Sequence, residues 1–306
     1  MKKHTERMMH LIRKKRDKPV QLKILHALEK RKTLTEQELL QKSRLEKGWE
    51  GEQLFDRMTG TVSKETLQLH DLRLTCRGST FQLDTLLIRP DAIYLYEVKY
   101  YNGEFVYEDG DFKLSGGKVI LNPLHQLLRA RTLLHQLLEE HGYSFPVRAY
   151  VVFPHPHFFL YHAPVTDSFL FLPQWKSHIT RHAAAGVLTA THHKLADLLC
   201  SLHRKEPSAT QDVLYGELHK NLFCPGCAGP VCRQFKTFFC PDCDNHYPAG
   251  RLIYEALKEF RLLFPEMRLT LSSARNWCRV ASDKQIRRAL ARHFNEKGQG
   301  RGVHYV

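Results

Sequence analysis

Two stretches of this chain, Phe81-Gln82-Leu83-Asp84-Thr85-Leu86-Leu87-Ile88 and Ala92-Ile93-Tyr94-Leu95-Tyr96-Glu97-Val98-Lys99, most constrain its fold. Both read as short apolar strands, and Pro90-Asp91 between them marks a turn. Each strand carries charge where a sheet should be most apolar. Glu97 and Lys99 lie two apart, so they point to one face. A carboxylate and an ammonium on a buried strand need compensation. A divalent metal is one form of it. Asp84 and Glu97 offer hard oxygen ligands suited to Mg²⁺ or Mn²⁺, and Lys99 then orients a water or offsets charge developing on a phosphate. The alternative is a strand-end ion pair near solvent, which contributes little.

Upstream lies Lys47-Gly48-Trp49-Glu50-Gly51-Glu52-Gln53-Leu54-Phe55, and downstream Leu121-Asn122-Pro123-Leu124-His125-Gln126. The order Gly-x-x-Gly-Glu, Gln-Leu-Asp, Glu-Val-Lys and Asn-Pro-x-x-Gln resembles the nuclease-related domain family of the restriction-endonuclease-like superfamily of phosphodiesterases. The resemblance covers roughly residues 44–153. It implies an α/β core of helix, three strands, helix and strand, with an inferred nuclease role. It also implies metal-site roles for Asp84 and Glu97, a catalytic role for Lys99, and Glu52 and Gln126 reaching the site from flanking helices.

The two helix positions have physical readings of their own. Gly48 and Gly51 permit close backbone approach, and Glu50 and Glu52 suit a helix's first turn. Asn122 followed by Pro123 reads as an N-cap and first helical residue. Gln126 then lies one turn in, on the side of Ala130, Leu133 and Leu137. There it needs a hydrogen-bond partner or a place at the stripe's edge in water.

The chain has 306 residues, enough for two or three domains. Hydrophobic content of 42% and charged content of 25% are those of a soluble globular protein. No apolar run approaches a membrane span, and no signal-peptide pattern precedes the basic start, so a cytoplasmic protein is expected. The absence of a phosphate-cradling Gly-rich loop gives no sign of coupling to ATP. The net charge of +14 is uneven. Residues 1–47 hold 15 Lys/Arg against 6 Asp/Glu, and residues 251–306 hold 12 against 5, which leaves the middle at −2. Basic flanks around a near-neutral centre suit a polyanion, DNA above all, gripped at the edges and acted on between them. The run Arg13-Lys14-Lys15-Arg16 also reads as a solubilising end.

Four of the eight cysteines form Cys224-Pro225-Gly226-Cys227 and Cys240-Pro241-Asp242-Cys243. Two such knuckles separated by residues 228–239 have zinc-ribbon spacing, and four thiolates leave no open position, so a structural Zn²⁺ is expected. Arg233, Phe235, Lys236, Phe238 and Phe239 between them could meet nucleic acid by charge and stacking, or form the ribbon's small core. Cys232 reads as a spare, and Cys76, Cys200 and Cys278 as isolated thiols.

Beyond the ribbon, Ile253, Ala256, Leu257, Phe260 and Leu263 form a helical stripe that stops near Pro265. Ser272 or Ser273 can cap a second helix and Ser282 a third. The third carries Ile286, Leu290 and Phe294 on its buried side and Lys284, Arg287, Arg288 and Arg292 on its exposed side. Val303 to Val306 reads as a short strand after Gly298, Gly300 and Gly302. The order resembles a winged helix-turn-helix, with the third helix in a DNA groove and Arg301 on the wing. Elsewhere, Val147 to Phe153 reads as a buried strand, and Ser168 to Leu172 as another. His155, His157 and His162 read as a surface loop, residues 183–203 as a helix with His192 and His193 on its polar face, and residues 205–211 as a linker.

The expected organisation is therefore modular. A basic helical segment (1–43) precedes the nuclease-related domain (44–155), a helical connector (156–220), a zinc ribbon (221–250) and a helix-turn-helix-like basic domain (251–306). The leading expectation is metal-dependent hydrolysis of nucleic acid, most simply DNA, in DNA processing or repair. The alternative is a DNA-binding scaffold whose nuclease fold does not cut.

Overall fold

The structure is a computed structural model that describes residues 11–60, 62, 65–181, 186–205 and 213–306; the side chain of Arg301 and most of the expected linker at 205–211 lie outside the described residues. The chain runs β1 (Ile12–Lys14), α1 (Val20–Glu29), α2 (Glu36–Thr59), β2 (Leu67–Cys76), β3 (Ser79–Ile88), β4 (Ile93–Val98), β5 (Gly103–Glu108), β6 (Asp111–Leu114) and β7 (Val119–Ile120). It continues with α3 (Pro123–Glu140), β8 (Val147–Phe153), β9 (Phe158–Tyr161), β10 (Phe169–Phe171), α4 (Trp175–Arg181) and α5 (Ala190–Leu202). The rest is β11 (Cys232–Gln234), β12 (Thr237–Phe239), β13 (His246–Pro248), α6 (Ala249–Leu263), α7 (Leu271–Trp277), α8 (Asp283–His293), β14 (Glu296–Lys297) and β15 (His304–Tyr305). The fold is mixed α/β. It divides into two compact units, one of residues 1–18 and 44–206, the other of residues 19–43 and 207–306.

The first unit is built on a six-stranded mixed sheet in the order β1-β2-β3-β4-β8-β10. β2, β3 and β4 are antiparallel neighbours, while β1, β8 and β10 join in parallel. Strand alternation sorts β4 into two faces. Ile93 and Leu95 join Leu86, Ile88, Val151, Leu127 and Leu134 in one core, on the side covered by α3. Tyr94, Tyr96 and Val98 join Phe55, Tyr150 and Trp175 in a second, on the side of α2 and α4. A four-stranded sheet, β7-β6-β5-β9, adds Phe105 and Phe112 to the first core.

α3 begins as expected: Asn122 Oδ1 accepts from the Leu124 N–H at 2.9 Å, and Pro123 is the first helical residue. Gly51 answers to a close approach, since a Cβ there would lie 2.2 Å from the Tyr100 Cβ. Gly48 does not, because nothing lies within 4 Å of the equivalent position.

Several expectations need correction. The start of the chain is not wholly helical: Ile12 and Lys14 pair with Gln68 and Leu69 as an added edge strand. Of residues 156–220, those to 206 fall in the first unit, where β9 and β10 pair with β5 and β8, and the rest fall in the second. His192 is buried rather than on a polar face, and its Nδ1 contacts the Thr189 N–H at 3.0 Å at the start of α5. Of the expected helix at 183–203, residues 183–185 lie outside the described residues.

In the second unit, β11, β12 and β13 form an antiparallel ribbon. α6, α7 and α8 pack around Trp277, which is fully buried and donates from Nε1 to the Ala256 carbonyl at 2.8 Å. α7 is capped by Thr270, not by Ser272 or Ser273. The Thr270 hydroxyl accepts the Ser273 N–H at 3.1 Å, while Ser273 Oγ accepts the Thr270 N–H at 2.8 Å. Ser282 caps α8, as expected. β14 and β15 pair as a hairpin, and Leu269 bridges to Tyr305. The unit thus runs as three helices followed by a small hairpin. No helix among the described residues is long and apolar enough to cross a membrane.

Candidate active site

β3 and β4 pair from Ile88↔Ile93 to Thr85↔Tyr96, and the ladder then ends. Asp84 and Glu97 are the next residue on each strand. Both lie on the face of Leu86, Ile88, Ile93 and Leu95, and both are buried, Asp84 at 8% exposure and Glu97 at 2%. Past the ladder's end, Asp84 Oδ2 accepts the Val98 N–H at 2.8 Å, so a side chain replaces the missing rung. Lys99 Nζ donates to Glu97 Oε1 at 2.7 Å and to Gln126 Oε1, one turn into α3, at 2.9 Å. Gln126 itself is exposed, so it sits at the edge of its helix's apolar stripe and still finds a partner.

Glu52 approaches from α2, the helix on the other face. Its link to the strands runs through Arg16, which the sequence marks only as part of a basic run. The Arg16 side chain is 2% exposed, with NH1 3.2 Å from Glu52 Oε2. Nε and NH2 donate to the two Asp56 oxygens at 2.9 and 3.0 Å, and NH2 also reaches the Asp84 carbonyl at 2.6 Å and Thr85 Oγ1 at 3.0 Å. His70, opposite Thr85 in the β2–β3 ladder, places Nδ1 3.0 Å from Asp56 Oδ1. Arg16, Asp56, His70 and Thr85 are thus site neighbours that sequence reasoning missed. The one available signal was an Asp one helical turn after Glu52, on the same side of α2.

The electrostatics follow from this packing. Burial, then the neighbouring Asp84 carboxylate, push the Glu97 carboxyl up to about 8 despite the pull of Lys99. The same two causes push Glu52 up to about 7 despite Arg16. Burial alone would lower the Lys99 ammonium, but the Glu97 carboxylate outweighs it and raises it. Asp56 is held below the usual carboxylate range: burial opposes this, but hydrogen bonds from His70 and Arg16 overcome it. Four carboxylates (Glu52, Asp56, Asp84, Glu97) thus face two permanent cations (Arg16, Lys99), and one oxygen each of Asp84 and Glu97 lies outside the hydrogen bonds just described. Four crowded carboxyl groups, two of them with free hard oxygens, are a donor set that suits a divalent cation able to displace their protons. The three carboxylates Glu52, Asp84 and Glu97 do not converge as a trio. Among the described residues, the only group of three or more such ligands within 4.8 Å of one another is the four-cysteine cluster.

That cluster is Cys224, Cys227, Cys240 and Cys243. Sγ separations of 3.5 Å (Cys224 to Cys243) and 3.3 Å (Cys227 to Cys240) are close to those around one tetrahedral ion with metal–sulfur bonds of about 2.3 Å. The Gly226 N–H and Asn245 Nδ2 donate to Cys224 and Cys243 sulfurs at 3.3 and 3.1 Å, as an outer shell stabilising thiolates does. Cys232 is exposed and outside the cluster. On α8, Lys284, Arg287, Arg288 and Arg292 are all exposed. His155 and His157 lie in the loop after β8, with the His155 ring against Tyr100.

The strand-end acids, the amine beside them and the helices on either face belong to one mixed α/β domain. Residues 47–154, about a third of the chain, match the model of the nuclease-related domain family. No curated protein and no solved structure matches the chain.

Proposed function

We propose that the first unit hydrolyses a phosphodiester bond of nucleic acid, with DNA as the substrate, using Mg²⁺ or Mn²⁺ held by Asp84 and Glu97. The observation that carries this reading is the hydrogen-bonded chain Gln126–Lys99–Glu97 beside Asp84, at the end of two central strands. When bound, the metal would supply Lewis-acid polarisation of the phosphate and a more acidic water. Lys99, pinned by Glu97 and Gln126, presents a fixed cation toward charge that accumulates on the phosphate oxygens. Gln126 is a positioning residue for that amine. Glu52, whose carboxyl is pushed up toward neutrality and lies against Arg16, would hold a proton from beyond the metal's own ligands. In the second unit, Cys224, Cys227, Cys240 and Cys243 hold a structural Zn²⁺, because four thiolates close its shell and leave no position for a substrate. The basic residues of α8 serve nucleic-acid binding.

The test is a cleavage screen over single- and double-stranded DNA and RNA with Mg²⁺ and Mn²⁺, run beside Asp84→Ala and Lys99→Ala. Both variants are expected to lose cleavage by about a hundredfold or more while keeping nearly full nucleic-acid affinity. If the wild type cuts none of these substrates with either metal, the hydrolase reading is wrong and a non-cutting DNA-binding scaffold takes its place.

A further inference from the structure

The second unit contains a cleft of about 530 Å³ between the ribbon hairpin and α8. Arg233 and Lys236 line it from the ribbon, and Lys284, Arg288 and Arg292 from α8. No Asp or Glu lines it. Asp283, the one acidic residue of α8, is taken up by Arg275. Among the described residues, none of the five cleft cations has an ion-pair partner. Five like charges gathered around a concavity repel one another and are stabilised by an incoming polyanion.

Phe235 stands at the hairpin's turn, on the cleft's rim, and is 96% exposed. Its backbone is left-handed, with φ of 49°, a conformation that costs a bulky residue about 1 kcal/mol or more and suits Gly or Asn. At 96% exposure Phe235 buries almost none of its surface against the ribbon. Its ring is left as a free π-face beside a row of cations. Ala249, Gly250 and Ala289 also line the cleft, and their small side chains leave room for a chain to approach.

We infer that this cleft binds single-stranded nucleic acid, with phosphates along Lys284, Arg288 and Arg292 and a base stacked on Phe235. The three cations are spaced four apart on α8, so they form one stripe along the helix. Arg287, expected on the same basic face, does not line the cleft. A duplex brings phosphates to the cations but keeps its bases inside. Its bases are also already stacked, so reaching the Phe235 face would cost a few kcal/mol per step. A strand with splayed bases meets both the charge and the ring at no such cost. This site replaces the groove-reading role expected for α8. It shares with the nuclease proposal only the premise that the chain meets nucleic acid.

The zinc-loaded protein is titrated by fluorescence anisotropy against oligo(dU), oligo(U) and a duplex, each of about twelve nucleotides per strand. The buffer contains no added divalent metal, so a failed cleavage assay leaves this measurement unaffected. At least one single strand is expected to bind about tenfold or more tightly than the duplex, and the tighter of the two identifies the sugar. Phe235→Ala should weaken strand binding about tenfold, and Phe235→Trp should retain it. Arg288→Ala combined with Arg292→Ala should reduce the log–log salt slope by about 1.4. Lys258→Ala, which removes an exposed charge of α6 outside the cleft, should change neither. Equal affinity for duplex and strand, or wild-type binding by Phe235→Ala, overturns the assignment.

Discussion

The guanidinium of Arg16 donates to the main-chain carbonyl of Asp84 at 2.6 Å, so a residue from the basic start of the chain lies against the strand that carries a proposed metal ligand. The same group bridges Asp56 and Glu52 from α2. Removing it leaves two largely buried carboxylates without their cation. Arg16→Met is expected to lower unfolding free energy by about 3 kcal/mol, read from urea unfolding. Arg16→Lys should recover less than half of that, because an ammonium cannot reproduce the two-pronged contact with Asp56.

Raised carboxyl groups give the metal-free protein a definite pH dependence. Glu97 and Glu52 keep their protons to about 8 and about 7 in the folded state, whereas an unfolded carboxyl releases its own near 4.5. Between those limits the folded state holds more protons, so stability is greatest at the acid end and declines as pH rises toward 8. Thermal melts across this window should show that decline. Glu97→Gln should flatten it, and saturating Mg²⁺ should flatten it in the wild type. A melting temperature that climbs from pH 5 to pH 8 in the absence of metal would contradict the electrostatic account.

Gly51 and Gly48 sit one turn apart on α2 and should respond oppositely. Gly51→Ala pushes a methyl into the Tyr100 side chain at its stem, where rotation brings no relief, and should cost about 1–3 kcal/mol. Gly48→Ala meets open space within a helix and should stabilise by up to about 1 kcal/mol. Paired chemical denaturation curves decide this.

The four-cysteine ribbon should carry one zinc per chain. Cys240→Ser is expected to release zinc into a colorimetric chelator and to loosen the ribbon, seen as faster amide exchange across residues 222–248. Cys232→Ser, at an exposed position outside the cluster, should keep both the zinc and the protection. Zinc loss from Cys232→Ser would mean that the ligand set is different.

Local patterns carry some of this molecule and miss the rest. The strands holding Asp84 and Glu97 are legible because period-2 alternation with charge in an apolar run is a one-dimensional signal, and the helix start at Asn122-Pro123 is written in adjacent residues. The cysteine knuckles are legible because their spacing alone brings four sulfurs within reach of one ion. Thr270 was missed as a cap because three hydroxyl residues lie close together, and only the turn of the chain selects among them. The strand at Phe158–Tyr161 was missed because its partner, Gly103–Glu108, lies far upstream, and Phe169–Phe171 was read as a strand without its parallel pairing to Val147–Phe153, which no local pattern encodes.

What the sequence alone settled was chemistry of short range: which residues alternate, that Asn122 and Ser282 begin helices, and which cysteines pair into knuckles. Tertiary structure alone decided which of four consecutive basic residues is buried against acids, and that an exposed phenylalanine shares a cleft with cations of both the ribbon and α8. The reason is that burial and charge pairing depend on distances through space, and nothing in the local order of residues encodes these until distant segments have packed together.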